Sequence, residues 1–387
     1  GGASFTRVQV SGSGDDGING ATISGFALDN SRVASNGNSS SDSGVELTQL
    51  SGTVSFDTTT VTSNATNNVS IANTSGNVNA TFNGGTYSDT NNFPTSGGDA
   101  ILLRNDQTGT MTATIQNATF TNNRDDHVQV AADADSAATL NVTVTGNTMT
   151  NTVGQQGNGI TANPGGTTLS ELTFTNNDIQ GSNQAAITVD GPGSSSLPQP
   201  ANIDATITNN VIGNAAVSRS GAFSGSGVAV NSNGGADIDT LISGNQIRQY
   251  SNPEGLTLVQ NDGVGSLNAT VRTNLITSQA NTIDNLYGVR AIYGSTVTDT
   301  GAGCLDLGGA GPFSNNLTGS SPAGSFDIRL RQAGPTALAL PGYGGGNHDT
   351  AAVAAYLTGR NTAPSGSDVS QPNASATYSN TASCPLP

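Results

Sequence analysis

Apolar residues recur along the chain in pairs whose members lie five positions apart. The pairs are Ile23/Leu28, Phe56/Val61, Phe82/Tyr87, Ile115/Phe120, Val144/Met149, Phe174/Ile179, Ile207/Ile212, Ile242/Ile247 and Val271/Ile276. The first members are 33, 26, 33, 29, 30, 33, 35 and 29 residues apart. This spacing is a loose but sustained repeat, and the alternation of apolar and polar positions around each pair predicts short β-strands.

A second alternating run follows at a variable distance after most pairs, usually opened by a small residue. These runs are GVELTQL from Gly44, DAILLRN from Asp99, HVQVAAD from His127, AAITVDG from Ala185, GVAVNSN from Gly227 and GVRAIYG from Gly288. Each repeat therefore predicts three short strands. No segment before residue 349 has a helical period.

An Asn stands three positions after the first member of the pair in five successive repeats. These residues are Asn147, Asn177, Asn210, Asn245 and Asn274. Asn tolerates the left-handed backbone conformation and hydrogen-bonds turns locally, so stacked copies are expected to form a ladder at one corner.

These strands and the repeated Asn resemble the coils of the pectate-lyase-like superfamily of right-handed parallel β-helices. The resemblance covers roughly residues 5–294. It implies an all-β solenoid of about nine coils, of the kind found in large bacterial secreted and surface proteins. Enzymes, phage tailspikes and adhesins share this fold, so the resemblance implies no particular activity.

The composition changes near residue 300, and we predict a β-helix over residues 1–300 and a C-terminal cap over residues 301–387. In the cap, DIRLRQ and TALALPGYGGG predict strands, and a short helix is expected after Asn347 or Asp349, ending at Gly359. Cys304 and Cys384 are the only cysteines. A disulfide between them suits an oxidising compartment, and two separate thiols are the alternative.

The first residues also suggest an interface. Residues 5–10, FTRVQV, are typical of the third strand of a coil whose first two strands are missing. We therefore expect Phe5, Val8 and Val10 to contact another coil, supplied by a second subunit or by further chain.

Composition narrows the possible partners. Only 33% of residues are hydrophobic and there is no Trp, which suits a narrow solenoid better than a wide globular core. The net charge is −16 and every basic residue is Arg, so we expect neither nucleic acid nor an anionic membrane as a partner. No apolar run is long enough to cross a membrane. Ten Asn-x-Ser/Thr sequons make glycosylation a further hypothesis, and they include Asn64, Asn68, Asn73, Asn79, Asn117 and Asn141.

One group of residues has catalytic potential. Asp99 and Asp126 each stand two residues before an apolar strand position, so on adjacent coils their carboxylates are expected to approach. Asp125, His127 and Arg104 lie nearby in sequence, as does Arg124. Paired carboxylates serve as acid and base in glycoside hydrolysis or bind Ca²⁺, and an Arg beside them suits the base of a lyase. A solvated acidic loop explains the same residues, and the Gly-His-Gly element expected of a polygalacturonase-like enzyme is absent.

We expect a non-enzymatic structural or adhesive protein, secreted or displayed on a bacterial surface, without a required cofactor. Its expected partners are other copies of itself, a neighbouring surface protein or glycans, and end-to-end stacking would give a filament or sheath. A polysaccharide lyase or hydrolase using Asp99 and Asp126 is the alternative. A third hypothesis, an ice-binding protein, comes from Thr-x-Thr at Thr143/Thr145, Thr173/Thr175 and Thr206/Thr208.

Overall fold

The computed structural model describes residues 1–90, 98–153, 157–191, 201–251, 254–278, 287–362 and 365–387. Nearly all of its regular structure is short parallel strands, which confirms the predicted parallel β-helix. The chain forms two compact units, Gly1–Asn183 and Gln184–Pro387. Each unit contains three parallel sheets, here named A1, B1 and C1 in the first and A2, B2 and C2 in the second.

The chain visits the three sheets in turn, so three successive strands make one coil. Sheet A1 contains β1 (Ala3–Thr6), β4 (Ser24–Asp29), β7 (Ser51–Asp57), β10 (Asn77–Asn83), β13 (Thr110–Gln116), β16 (Thr139–Thr145) and β19 (Leu169–Thr175). Sheet B1 contains β2 (Gln9–Ser11), β5 (Arg32–Ala34), β8 (Thr60–Thr62), β11 (Thr86–Ser88), β14 (Thr119–Thr121), β17 (Thr148–Thr150) and β20 (Asp178–Gln180). Sheet C1 contains β3 (Ile18–Ala21), β6 (Val45–Thr48), β9 (Val69–Asn73), β12 (Ile101–Asn105), β15 (Val128–Ala131) and β18 (Ile160–Asn163).

The second unit repeats this order. Sheet A2 contains β22 (Asn202–Thr208), β25 (Asp237–Ser243), β28 (Ser266–Arg272), β31 (Ala302–Leu307), β33 (Ala337–Pro341) and β35 (Thr377–Thr381). Sheet B2 contains β23 (Val211–Ile212), β26 (Gln246–Arg248) and β29 (Leu275–Thr277). Sheet C2 contains β21 (Ile187–Asp190), β24 (Val228–Asn233), β27 (Glu254–Asn261), β30 (Tyr287–Tyr293), β32 (Ile328–Gln332) and β34 (Ser367–Ser370).

The core of each unit is a set of stacked apolar columns. In sheet A1 one column aligns Leu28, Phe56, Phe82 and Ile115, all fully buried. The rings of Phe56 and Phe82 stack with centroids 4.7 Å apart. Each such side chain contributes about 1.5–3 kcal/mol relative to exposure. Because an apolar residue of one coil lies directly above an apolar residue of the next, the column is continuous through these coils.

One of the nine predicted pairs is wrong. In the first coils Leu28 aligns with Phe56, and Val33 aligns with Val61, so the pair is Leu28/Val33 rather than Ile23/Leu28. Apolar residues five positions apart occur twice in succession here, and periodicity alone does not choose between them. A register shift between Ser24 and Phe26 accommodates the irregular start of β4.

The prediction for FTRVQV is also wrong. These residues belong to β1 and β2, which are the sheet A1 and sheet B1 strands of the first coil, and β3 supplies its third strand. The first coil is therefore complete. The polar run between Ser11 and Ile18 hid the weakly apolar third strand INGA from a search for apolar alternation.

In the ten coils that have both an A strand and a B strand, from β1/β2 to β28/β29, two residues separate the two strands. The first of the two has a positive φ, as at Asn117 (56°), Asn176 (57°) and Thr273 (58°), with Gly at Gly146 and Gly244. The ladder Asn is the second residue, so the left-handed conformation that we assigned to it lies one position earlier.

The predicted Asn ladder is present in both units. In the first, Asn147 Nδ2 donates to Asn177 Oδ1 at 3.0 Å. In the second, Asn210 Nδ2 donates to Asn245 Oδ1 and Asn245 Nδ2 donates to Asn274 Oδ1, both at 3.0 Å. The ladder continues through Asn315 and Asn361, which the repeat spacing did not reveal.

Parallel pairing continues beyond residue 300, where β31 pairs with β28 and β32 pairs with β30. The predicted strands around Asp327 and Ala337 form and belong to sheets C2 and A2.

The predicted helix is α1 (Thr350–Arg360), and the Asp349 side chain caps it by accepting from the Ala352 amide at 2.9 Å. A 3-10 turn spans Gly311–Phe313. Cys304 and Cys384 form a disulfide that links β31 to the C-terminal segment. Within the described ranges, no helix combines the length and apolar character needed to cross a membrane.

Candidate functional site

Three aspartates converge where the chain enters two neighbouring strands of sheet C1. Ile101 of β12 aligns with Val128 of β15, and this register places Asp99 beside Asp126 on adjacent coils. Carboxylate oxygens of Asp99, Asp125 and Asp126 lie within 4.8 Å of one another. The structure therefore brings together the carboxylates that the sequence placed in the same register.

Backbone hydrogen bonds fix this cluster. The Asp126 amide donates to Asp99 Oδ1 at 3.0 Å, and the Ala100 amide donates to the Asp126 carbonyl at 2.9 Å. The Asp99 amide donates in turn to Asn67 Oδ1 at 2.8 Å. Asp99 and Asp126 are thus held by hydrogen bonds between neighbouring coils, two of which have side-chain oxygens as acceptors.

The surroundings of the site favour the protonated form of its carboxyls. Asp99 is 5% exposed and Asp126 is 4% exposed, whereas Asp125 is exposed. Burial, with smaller contributions from Asp126 and Asp125, raises the pKa of Asp99 well above its usual range. Burial and Asp125 raise the pKa of Asp126 to about 7, although the side chains of Thr161 and Asn158 oppose the shift. Although Asp125 is exposed as a residue, its carboxyl is partly enclosed, which raises the pKa of Asp125, and the Arg124 charge opposes the shift.

Two buried oxygens in this region, Asp126 Oδ1 and Thr161 Oγ1, make no hydrogen bond of normal length and angle. A cation would supply the missing partner and stabilise the charged carboxylates. Oxygen donors of this type suit Ca²⁺, with Asp99, Asp125 and Asp126 as its ligands.

His127 faces the core rather than the carboxylates. Its Nδ1 lies 2.9 Å from Asn123 Nδ2, and its ring centroid is 5.8 Å from that of Phe120. Burial lowers the pKa of His127 to about 3, so the imidazole is neutral at ordinary pH. The side chain is enclosed and does not reach an external substrate.

Arg104 binds other carboxylates. Its Nε lies 2.7 Å from Asp106 Oδ2, and its Nη2 contacts Asp133. These ion pairs hold the Arg104 guanidinium against Asp106 and Asp133, so it is not placed to act as a base beside Asp99. Arg124 is the basic residue whose charge acts on the site, through Asp125.

Sequence reasoning missed an ionic cluster in the second unit. Asp306 is 1% exposed and contacts both Arg272 and Arg360. The guanidinium groups also lie over aromatic rings, 5.2 Å from Phe313 and 5.1 Å from Tyr356. The one sequence signal for this cluster was an Asp within the apolar run GCLDL. Its partners Arg272 and Arg360 lie 34 and 54 residues away in sequence.

The sequons divide by burial. Asn64, Asn68 and Asn73 are fully buried, so a folded chain cannot accept glycans there. Asn79 and Asn117 are exposed, and Asn141 is half-buried. Of the predicted Thr-x-Thr positions, Thr143/Thr145 and Thr173/Thr175 align in sheet A1, and Thr206/Thr208 lies in the second unit.

Comparison with protein-family models, with curated proteins and with solved structures gives no match to this chain.

Proposed function

We propose that the protein is a non-catalytic, extracellular structural or adhesive β-solenoid, displayed on a bacterial surface, whose first coil docks on another copy. The disulfide supports an oxidising location. The acidic, Lys-free composition supports a soluble outer surface. The exposed edge of the first coil is the observation that carries the proposal.

Phe5 belongs to the core column of sheet A1, where it aligns with the fully buried Leu28. Its ring contacts that of Phe26 at 6.1 Å, yet 38% of the residue is exposed. Val10 aligns with Val33 in sheet B1, and both Val8 and Val10 are half-buried. One further coil, from a second copy or from preceding chain, would cover these positions, and the proposal assigns it to a second copy.

The backbone of the same coil presents a second complementary surface. The strands β1, β2 and β3 each pair on one side, with β4, β5 and β6. Their other edges carry unpaired N–H and C=O groups, which are a template for strand addition. A contact between unlike ends is heterologous and does not close, so it would give a filament or sheath.

Negative-stain electron microscopy of the protein at several concentrations tests this proposal. We expect filaments that lengthen with concentration, and Phe5→Asp should leave only short particles because it places a charge in the joint. Val297→Asp is the matched control, since Val297 is 77% exposed in the second unit. Short particles of the wild-type protein at every concentration would contradict self-assembly.

The aspartate cluster favours one second candidate, a polysaccharide lyase or hydrolase. Two close carboxyls with raised pKa values suit acid and base chemistry. The burial of Asp99 and Asp126 weighs against it, because a sugar must reach both groups. Incubation with acidic polysaccharides, followed for unsaturated products or new reducing ends, tests this candidate. Turnover that Asp126→Ala abolishes would replace the structural proposal.

A further inference from the structure

The outer face of sheet B1 carries a two-column array of hydroxyl residues on four consecutive coils. We name it the Thr lattice, and it consists of Thr60, Thr62, Thr86, Ser88, Thr119, Thr121, Thr148 and Thr150. The strands align residue for residue, so Thr60, Thr86, Thr119 and Thr148 form one column. This array differs from the Thr-x-Thr positions predicted in sheet A1.

The backbone sets the two repeats of the lattice. Neighbouring coils place equivalent side chains about 4.8 Å apart, and alternate residues of one strand lie about 6.6 Å apart. These distances are close to the repeats of water oxygens on faces of hexagonal ice. An uncharged surface with both repeats offers hydroxyl groups that can hydrogen-bond water at ice-like spacings, with Thr methyl groups between them.

A rigid layer of side chains supports this face from within. The residues between the two columns are Val61, Tyr87, Phe120 and Met149, and all are fully buried. The rings of Tyr87 and Phe120 stack at 5.4 Å. Close-packed aromatic and aliphatic groups of this kind resist displacement, so the outer hydroxyls keep their spacing.

The lattice is uncharged and partly open to solvent. Thr119, Thr148 and Thr150 are exposed, and Thr60, Thr62, Thr86 and Thr121 are half-buried. Ser88 is 7% exposed, and its hydroxyl lies 2.8 Å from that of Thr62. Charged residues occur in register only beyond its ends, at Arg32 and Asp178. Ordered water is disturbed least by a face without charges, since ions impose their own hydration.

Sheet A1 of the same unit shows the contrast. It has a column of Thr81, Thr114, Thr143 and Thr173, but the neighbouring outward columns contain long amides and Glu171. Its outer surface therefore lacks a second uniform column. We propose that the protein binds ice through the Thr lattice of sheet B1, an activity separate from assembly at the first coil.

Thermal hysteresis and the shape of a growing ice crystal, measured with the full chain, test this proposal. We expect faceted crystals and a measurable hysteresis, and Thr119→Lys should remove more than half of it by placing a long cation at the centre of the lattice. Thr112→Lys is the matched control, because Thr112 is an exposed outward residue of β13 on the same coil.

Circular dichroism melts of all three proteins establish that they are equally folded. Hysteresis that Thr119→Lys reduces and Thr112→Lys preserves supports the proposal. Round, unfaceted crystals with the folded wild-type protein would overturn it, as would equal loss in both variants. Adsorption to crystalline polysaccharide without any effect on ice would also overturn it and assign the lattice a different solid surface.

Discussion

Two buried carboxyls sit beside each other at Asp99 and Asp126, and the free energy of the fold depends on their protonation. A carboxyl whose pKa is higher in the folded than in the unfolded state retains its proton longer when folded. Its stabilising effect is complete below the unfolded pKa and is lost as pH rises through the folded pKa. For Asp126 this interval runs from about 4 to about 7.

We predict that the melting temperature of the wild-type protein falls between pH 5 and pH 8, by an amount equivalent to a few kcal/mol. Asp126→Asn should reduce this fall, because its amide stays neutral at both pH values. The control is Asp135→Asn, at an exposed position. Thermal melts that are identical at pH 5 and pH 8 would contradict the prediction.

Calcium addition gives a separate prediction at the same residues. At pH 8 the Asp126 carboxyl is largely charged, because its pKa is about 7, so millimolar Ca²⁺ should raise the melting temperature of the wild-type protein by mass action. Asp126→Asn should respond weakly because it loses a ligand. Equal responses of the two proteins, measured by calorimetry, would place the binding elsewhere.

The Asn ladder predicts a large effect from a small substitution. Asn245 is fully buried, donates to Asn274 Oδ1 and the Ile207 carbonyl, and accepts from the Asn210 amide at 2.9 Å. Asn245→Ala leaves these groups without partners and should cost about 2–4 kcal/mol in urea unfolding. Asn268→Ala, at a half-buried outward position, should cost less than about 1 kcal/mol. Similar costs for the two would show that the ladder is not a major source of stability.

At the scale of elements, ion pairs hold α1 against sheet A2. Arg360 of its last turn and Arg272 of β28 both contact the buried Asp306 of β31. We predict that Asp306→Ala destabilises the protein by about 3–5 kcal/mol, because two guanidinium groups lose their carboxylate. Hydrogen exchange should increase mainly in α1 and β31. Protection unchanged in α1 would show that the helix is held by its apolar face alone.

Strand order and register were largely predictable, because eight of the nine apolar pairs fall on aligned positions. The second strand runs also form, at β6, β12, β15, β21, β24 and β30. The equivalent C-sheet strands of three other coils, β9, β18 and β27, were not predicted. In β9 and β27, polar residues such as Ser70 and Glu254 are themselves buried, so apolar alternation is weak there.

The candidate site was predictable in part. Register alone placed Asp99 near Asp126, since parallel pairing carries a spacing in sequence into space. Proximity in sequence wrongly predicted that His127 and Arg104 join the carboxylates. Neighbouring residues of a strand point to opposite faces, and a long side chain such as that of Arg104 can reach other partners. The ionic cluster of Asp306 depends on contacts between distant coils, which no local pattern contains.

At the scale of the whole molecule, net charge opposes association. Every copy carries −16, so copies repel one another at low ionic strength. We predict that filaments become longer when NaCl rises from about 10 to about 150 mM, because the Debye length shortens from roughly 30 Å to roughly 8 Å. Light scattering would measure this change. Dissociation on adding salt would indicate that the joint is ionic rather than apolar.

The two-residue corner shared by the ten coils with both A and B strands has an evolutionary consequence. Length differences among these coils are absorbed at the other two corners, where loops can lengthen or shorten while strand register is preserved. Insertions and deletions in the loops that precede the strands of sheets C1 and C2, including the loop before Asp126, can therefore be selected while the strand register stays the same. Such a chain is a favourable starting point for acquiring new surface properties by insertion and duplication.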